Sequence, residues 1–286
     1  VASPVFPTTH PGRDEFMSRH IAAVWVCLIA CAIGAAPAQA QFNVPSSRAT
    51  GESYKVEISG SLWDPAPSIF IVSESIQGVP GTRIDFVEDL GIEKNWFKQL
   101  KVVLRPDRQH KFRFEFTPIH YKTQATLGRD LVFNGILFPA AARVDTEVKW
   151  NAFRFGYEYD FFYRDRGFIG LVLDVKYTDI RADINSTTDT EFVHARAPIP
   201  AIGLIGRGYV APNVAITAEF TFIKIPEIDE KYGGRFFDLD IYGTVNFTEN
   251  VGAQGGYRSF DVIYHADADD GDLQIRGIYF GGVVRF

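Results

Sequence analysis

Only two cysteines occur in the 286 residues, and both, Cys27 and Cys31, fall in one short N-terminal stretch. The rest of the chain has none, which excludes disulfide scaffolds, zinc–cysteine centres and cysteine nucleophiles there. Methionine is scarcer still, with Met17 the only one. Excess positive charge is also missing. Lys and Arg number 29 against 35 Asp and Glu, a net charge of −6, which argues against nucleic-acid binding. No sustained helical period follows residue 52, and a mean hydropathy of −0.03 excludes a bundle of long transmembrane helices. There is no Gly-rich phosphate loop and no His pair at helical metal-binding spacing, so no cofactor is expected. What abounds is 25 Phe, 12 Tyr and 25 Gly.

The N-terminus carries an export pattern. Met17 is followed by Arg19 and His20, an apolar run from Ile21 to Ala35, and Ala38-Gln39-Ala40. A positive start, an apolar stretch of about 15 residues and a small-x-small site are the three parts of a secretory signal. The run is short for a membrane span, which takes about 20 apolar residues. The expected layout is a non-native extension at 1–16, a signal peptide at 17–40, a periplasmic lead-in at 41–51 and one domain at 52–286. Leu28-Ile29-Ala30-Cys31 offers a second reading, a lipoprotein box with Cys31 lipidated.

From Glu52 onward the sequence alternates with period two. In 235–247, Phe237, Leu239, Ile241, Gly243, Val245 and Phe247 alternate with Asp238, Asp240, Tyr242, Thr244 and Asn246. In 110–117, Phe112, Phe114 and Phe116 alternate with Lys111, Arg113, Glu115 and Thr117. Stretches 52–63, 168–178 and 213–224 read the same way. Successive strand side chains point to opposite faces, so each segment has one apolar face and one polar face. The segments exceed the usual 5–6 residues of soluble strands and suit the 9–11 needed to cross a bilayer. Connections alternate short and long, as in barrels that span membranes. The predicted fold is all-β, an antiparallel up-and-down transmembrane barrel. Its ten strands lie near 52–63, 99–106, 110–121, 143–159, 168–181, 197–210, 213–224, 235–247, 251–264 and 272–286. A twelve-stranded alternative adds short strands at Ile69–Ser73 and Thr82–Val87.

The alternation changes phase in three places. In 143–159 the apolar set passes from Val144, Val148 and Trp150 to Phe153, Phe155, Tyr157 and Tyr159. A bulge near Asn151–Ala152 would restore one lipid face, and similar slips fall near Pro118 and Ser259. Tyr54, Trp150, Tyr157, Tyr159 and Phe286 are predicted to form interfacial girdles.

The chain ends Tyr279-Phe280-Gly281-Gly282-Val283-Val284-Arg285-Phe286. Gly281, Val284 and Phe286 resemble the terminal assembly signal of bacterial outer-membrane β-barrel proteins. The resemblance implies reading by the barrel-assembly machinery and an integral place in the outer membrane of a Gram-negative cell envelope. It also implies lipid and lipopolysaccharide as surroundings. A monomer is expected.

The polar faces would line the lumen with Lys55, Glu57, Lys101, Arg105, Arg113, Glu115, Lys149, Asp174, Lys176, Arg207, Glu219, Asp238, Asp240, Arg258 and Arg285. Ten strands enclose little more than the packed interior of an eight-stranded barrel. A salt-bridge network filling the lumen is therefore the favoured reading, and a narrow polar channel the other. The expected role is structural, or passive diffusion of small solutes or hydrophobic molecules in a porin-like manner, without enzymatic turnover. The 64–98 stretch is too apolar for a simple exposed loop. It would extend a strand above the membrane or fold into the barrel mouth, as a cap or as an entry site for a hydrophobic ligand.

The alternative is an outer-membrane hydrolase. Omptin proteases also have ten strands and use acidic and His–Asp pairs at the outer rim, and a lipid-modifying enzyme needs a similar rim site. His265, beside Asp267, Asp269 and Asp270, could act as a base oriented by a carboxylate. His120 and Ser259 are weaker candidates, and no omptin motif matches. Asp267, Asp269 and Asp272 are weak metal candidates. They loosely resemble a calcium loop but lack its twelve-residue spacing and closing Glu, so no metal is assigned.

Overall fold

The computed structural model describes residues 49–72, 82–133, 135–186, 190–228, 232–266 and 269–286. The expected extension at 1–16, the expected signal at 17–40 with both cysteines, and most of the expected lead-in at 41–51 lie outside the described residues. The strands are β1 Val56–Val72, β2 Arg83–Asp85, β3 Phe97–Leu104, β4 His110–Thr126, β5 Leu131–Phe133, β6 Ile136–Phe138 and β7 Arg143–Arg164. They continue as β8 Gly167–Asn185, β9 Thr190–Ala211, β10 Val214–Ile228, β11 Tyr232–Asn246, β12 Val251–Ala266 and β13 Asp269–Arg285.

Ten of these form an antiparallel ring in the order β1-β3-β4-β7-β8-β9-β10-β11-β12-β13. The ring closes where β13 pairs with β1 from Glu57↔Arg285 to Val72↔Asp270. The twelve-stranded alternative does not form. Ile69–Val72 is the upper end of β1, and the 82–87 stretch supplies only β2, which pairs with β1 at Phe70–Val72. The strands β5 and β6 make a separate small hairpin.

Tight connections at 105–109, 165–166, 212–213 and 247–250 gather at one end, here the turn end. The chain termini of the ring meet there too, with Phe286 N–H donating to Val56 O at 2.9 Å. Most ring strands outrun a bilayer. With 22 residues, β7 extends about 70 Å along its own axis. A bilayer's hydrocarbon would cover only about half of that length, taken from the turn end to the opposite, loop end.

That length explains the phase slips. On β7, Phe153, Phe155, Tyr157 and Tyr159 point outward while Arg154, Glu158 and Asp160 are buried inside. Further up the same strand Asp145, Glu147 and Lys149 point outward while Val144, Val148 and Trp150 are buried inside. The β4–β7 register runs unbroken from His110↔Tyr159 to Thr126↔Arg143. The expected bulges near Asn151–Ala152 and Pro118 are therefore absent, and β12 keeps regular pairing on both sides through Ser259. The strand does not slip. Its two faces exchange polarity, with the apolar face outward toward the turn end and inward toward the loop end.

Two predicted girdle residues move with this correction. Trp150 is buried inside against Phe260, with ring centroids 5.0 Å apart. Tyr54 is buried at the turn end beneath the guanidinium of Arg105, 5.1 Å from the ring. Tyr159 and Phe286 are exposed, and Tyr157 faces outward with its hydroxyl 2.6 Å from His110 Nδ1. A true bulge lies nearby, between Tyr159 and Phe162, and leaves both Phe161 and Phe162 exposed at the turn end.

The loop end holds an apolar core of the kind found in soluble proteins. Residues 82–92 fold into the mouth and bury Ile84, Phe86, Leu90 and Ile92, and Phe97 at the start of β3 is buried beside them. The stretch 127–138 adds Leu127, Leu131, Phe133 and Phe138. Both pack on the inward Ile119, Val144, Trp150, Ile184 and Ile275. Asp85 Oδ1 accepts from Val87 and Glu88 N–H at 2.8 and 3.1 Å, turning the segment inward. Gly91, at φ 67°, closes that turn in a conformation that disfavours side chains. Of the stretch 64–98, residues 64–72 extend β1, 82–92 form the cap, 93–96 return along the exposed rim and 97–98 begin β3; 73–81 lie outside the described residues.

Candidate functional site: the charged lumen and the cavity above it

Below the apolar core the inward faces are charged. Strand geometry does this directly, since each outward Phe or Leu is followed by an inward residue that meets other side chains. Among the described residues, eight carboxylates and eight cations are buried. Equal numbers matter, because a buried charge is tolerated only when it is paired and hydrogen-bonded.

The pairs form three levels. At the turn end Arg207 Nη1 donates to Glu52 Oε1 at 3.0 Å, and Arg285 Nε donates to Glu57 Oε2 at 2.6 Å. Arg105 Nη1 bonds the Glu52 carbonyl at 2.6 Å. In the middle, Lys111 Nζ lies 2.6 Å from Glu158 and 2.8 Å from Asp160. Arg113 joins Glu158 at 3.1 Å to Glu219 at 2.5 Å, while Arg154 bonds Glu219 and Asp174. Higher still, Lys176 Nζ and Arg258 Nη2 both reach Asp238 Oδ2, at 2.5 and 2.9 Å, and Arg258 also bonds Glu115.

The structure places most of the predicted lining residues on this inner face. Lys101 is half-buried there, 3.8 Å from Glu219, and Asp240 accepts from Tyr279 Oη at 2.8 Å. Two residues do not belong. Lys55 precedes β1, is exposed at the turn end and donates to Pro106 O at 3.1 Å. Lys149 points outward and is exposed with Glu147 2.9 Å away, because on that part of β7 the outer face is the polar one. Sequence reasoning missed Glu52, Lys111, Arg154, Glu158 and Asp160. The alternation of Arg154, Glu158 and Asp160 with Phe153, Phe155, Tyr157 and Tyr159 was signal enough to find three of them.

Gly281 and Val284 lie on the closing strand, and Phe286 directly follows it. A Cβ at Gly281 would collide with the carbonyl of Gly60 on β1, so glycine permits the close approach that shuts the ring. Val284 and Phe286 face outward and are exposed.

Just above the charged levels lies a cavity of about 40 Å³. Arg154, Lys176 and Arg258 floor it, and Trp63, Trp150 and Phe260 belong to its apolar side. Above that the cap closes the mouth.

The rim candidates are dispersed. His120 Nε2 pairs with Glu147 at 2.7 Å on the outer wall, and Ser259 lies on β12 opposite Leu239 and Arg276. A second outer-wall pair, His194 with Asp179 at 2.8 Å, also bonds Arg196 and went unnoticed in the sequence. His265 lies on β12 opposite Gly233 and Asp270. Asp267 lies outside the described residues, while Asp269 and Asp272 lie on β13 opposite Ala266 and Ile263. Among the described residues, no three His, Cys, Asp or Glu side chains group as metal ligands.

No protein-family model and no curated protein matches the chain. Solved structures do. The Escherichia coli outer membrane protease OmpT superposes with a TM-score of 0.55 at 10% identity, over 84% of this chain and 99% of that one. Ail, the attachment invasion locus protein of Yersinia pestis, gives 0.35 at 12% identity over 81% and 99%. Neisserial surface protein A gives 0.34 at 13% over 81% and 97%. The fold is that of the outer-membrane β-barrels.

Proposed function

We propose that this protein is an integral outer-membrane barrel with a structural, non-conducting role and no catalytic turnover. The observation that carries this reading is the double filling of the lumen. Matched charges occupy the half inside the membrane, and a packed apolar core with its cap occupies the half beyond it. A hydrated path for polar solutes would need one level to be open. The turn end faces the periplasm and the loop end the exterior, so the outer half is a rigid surface platform held by its own core. Lipid and lipopolysaccharide surround the belt, and the barrel-assembly machinery reads Gly281, Val284 and Phe286. The barrel works as a monomer.

Recording from the purified protein in planar bilayers tests this. The expected trace is silent. Steady single-channel steps would defeat the reading and favour passive diffusion of small solutes.

A further inference from the structure

The ladder between β9 and β10 stops short of both strands. It runs from the turn end to Ile202↔Phe222. Beyond that point, among the described residues, β9 continues to Thr190 paired with β8 alone, and β10 continues to Ile228 paired with β11 alone. The sequence supplies the cause: Pro198 and Pro200 on β9, and Pro226 on β10. A proline keeps its place in a ladder only when its nitrogen faces away from the partner. Both β9 prolines hold unbroken register with β8, so the edge that lacks donors faces β10.

Unpaired backbone is costly in hydrocarbon and acceptable at the water boundary. The seam opens at that boundary. Ile202 and Phe222 are the last outward apolar pair, and the exposed Lys224 and Arg196 lie beyond them.

The cavity lies behind this seam. Ile199, on the unpaired stretch of β9, is part of its wall. Thr117, Trp150, Arg154 and Thr178 line it too, and each carries a buried polar atom with no protein partner. These are two hydroxyls, the Trp150 indole Nε1 and Arg154 Nε. Thr117, Trp150 and Arg154 are all more than nine-tenths buried. The indole and guanidinium groups can only donate, so the site asks for an acceptor. The surrounding charges already match, and an anion would bring an unpaired charge. A neutral oxygen would not.

We propose that the β9–β10 seam is a lateral portal, and that the cavity binds the neutral, oxygen-bearing end of a small amphiphile dissolved in the outer leaflet, of the medium-chain alcohol class. Its apolar tail would cross the seam against Ile199, Ile223 and Ile225. The inference rests on the membrane placement proposed above.

The test uses protein reconstituted in phosphatidylcholine vesicles and a diazirine-bearing octanol as photolabel, with adducts mapped by mass spectrometry. Outward residues such as Leu204 and Phe220 take label in any membrane-embedded barrel, so their labelling reports the placement separately. The portal predicts additional adducts on Trp150, Thr178 or Ile199. Continuing the register sets Ala201 opposite Ile223, so an Ala201→Cys/Ile223→Cys variant can be locked by oxidation. Locking should abolish the internal adducts, and reduction should restore them. Ala152→Leu fills the cavity without touching the seam and should abolish them in either state. Internal adducts indifferent to both changes would overturn the proposal. So would labelled outer residues with an unlabelled interior, the result expected if the cavity holds ordered water only.

Discussion

Arg285 and Glu57 stand directly opposite each other where the last strand meets the first, with Nε 2.6 Å from Oε2 and Arg285 only 1% exposed. Arg285 Nη1 also donates to Asn246 Oδ1 at 2.7 Å. The ring is thus closed by a buried ion pair as well as by backbone hydrogen bonds. Removing one partner leaves the other charged and uncompensated, at a cost of about 3–5 kcal/mol. Arg285→Leu should therefore lower the guanidinium midpoint of vesicle-folded protein steeply. The double variant Glu57→Leu/Arg285→Leu should recover most of the loss. A double variant no better than the single would show that closure does not depend on this pair.

Along β7 three outcomes should diverge within a few residues. Phe155 faces hydrocarbon, and Phe155→Arg should cost about 2–4 kcal/mol. Lys149 faces water, and Lys149→Ala should change stability by no more than about 0.5 kcal/mol. Trp150 lies in the inner core, and Trp150→Ala should cost about 3–5 kcal/mol. Equilibrium unfolding in vesicles reads all three. Tolerance of Trp150→Ala together with intolerance at Lys149 would place the membrane boundary elsewhere.

The strand count, the parity of the connections and the inward Arg113, Glu115, Glu219 and Asp238 were legible because alternation has a fixed period. The phase slips at Trp150 and Pro118 were legible as signals and misread as bulges. Period-two patterning reports which face is apolar, but not whether hydrocarbon or water lies outside. Where the barrel leaves the membrane the apolar face turns inward, and a one-dimensional pattern cannot separate that from an inserted residue. Lys149 was misplaced by the same ambiguity, and Tyr54 because β1 begins only at Val56, so that strand alternation does not govern it. The portal was hidden for another reason. Pro198, Pro200 and Pro226 are visible in the sequence, but which edge loses its donors depends on register.

The cap responds to acid in a defined direction. Partial burial pushes the Asp89 carboxyl up, but two bonds from Arg129 and one from the Asp85 N–H outweigh it and hold the carboxyl below its ordinary value. A depressed carboxyl stabilises the folded cap fully above the ordinary carboxylate range. That contribution is lost as pH falls through the depressed value. Hydrogen exchange of the amides of residues 86–92 should therefore be flat near neutrality and lose protection under acid. Asp89→Asn should abolish this pH dependence while leaving the barrel folded. An unchanged acid response in Asp89→Asn would assign the effect to other groups.

Two seals in series make a prediction that one seal would not. Deleting 74–92 and replacing Leu131, Phe133 and Phe138 by alanine removes the upper seal but leaves Arg154 and Arg258 bridging Glu219, Glu115 and Asp238 across the lumen. That variant should remain silent in planar bilayers. Arg154→Gly/Arg258→Gly alone should also be silent, because the cap still stands, although it should be less stable. Only the combination should conduct. Its pore should prefer cations, since the carboxylates left behind then outnumber their partners. Current from the cap deletion alone would show that paired charges do not seal this lumen, and would return the barrel to the class of narrow diffusion channels.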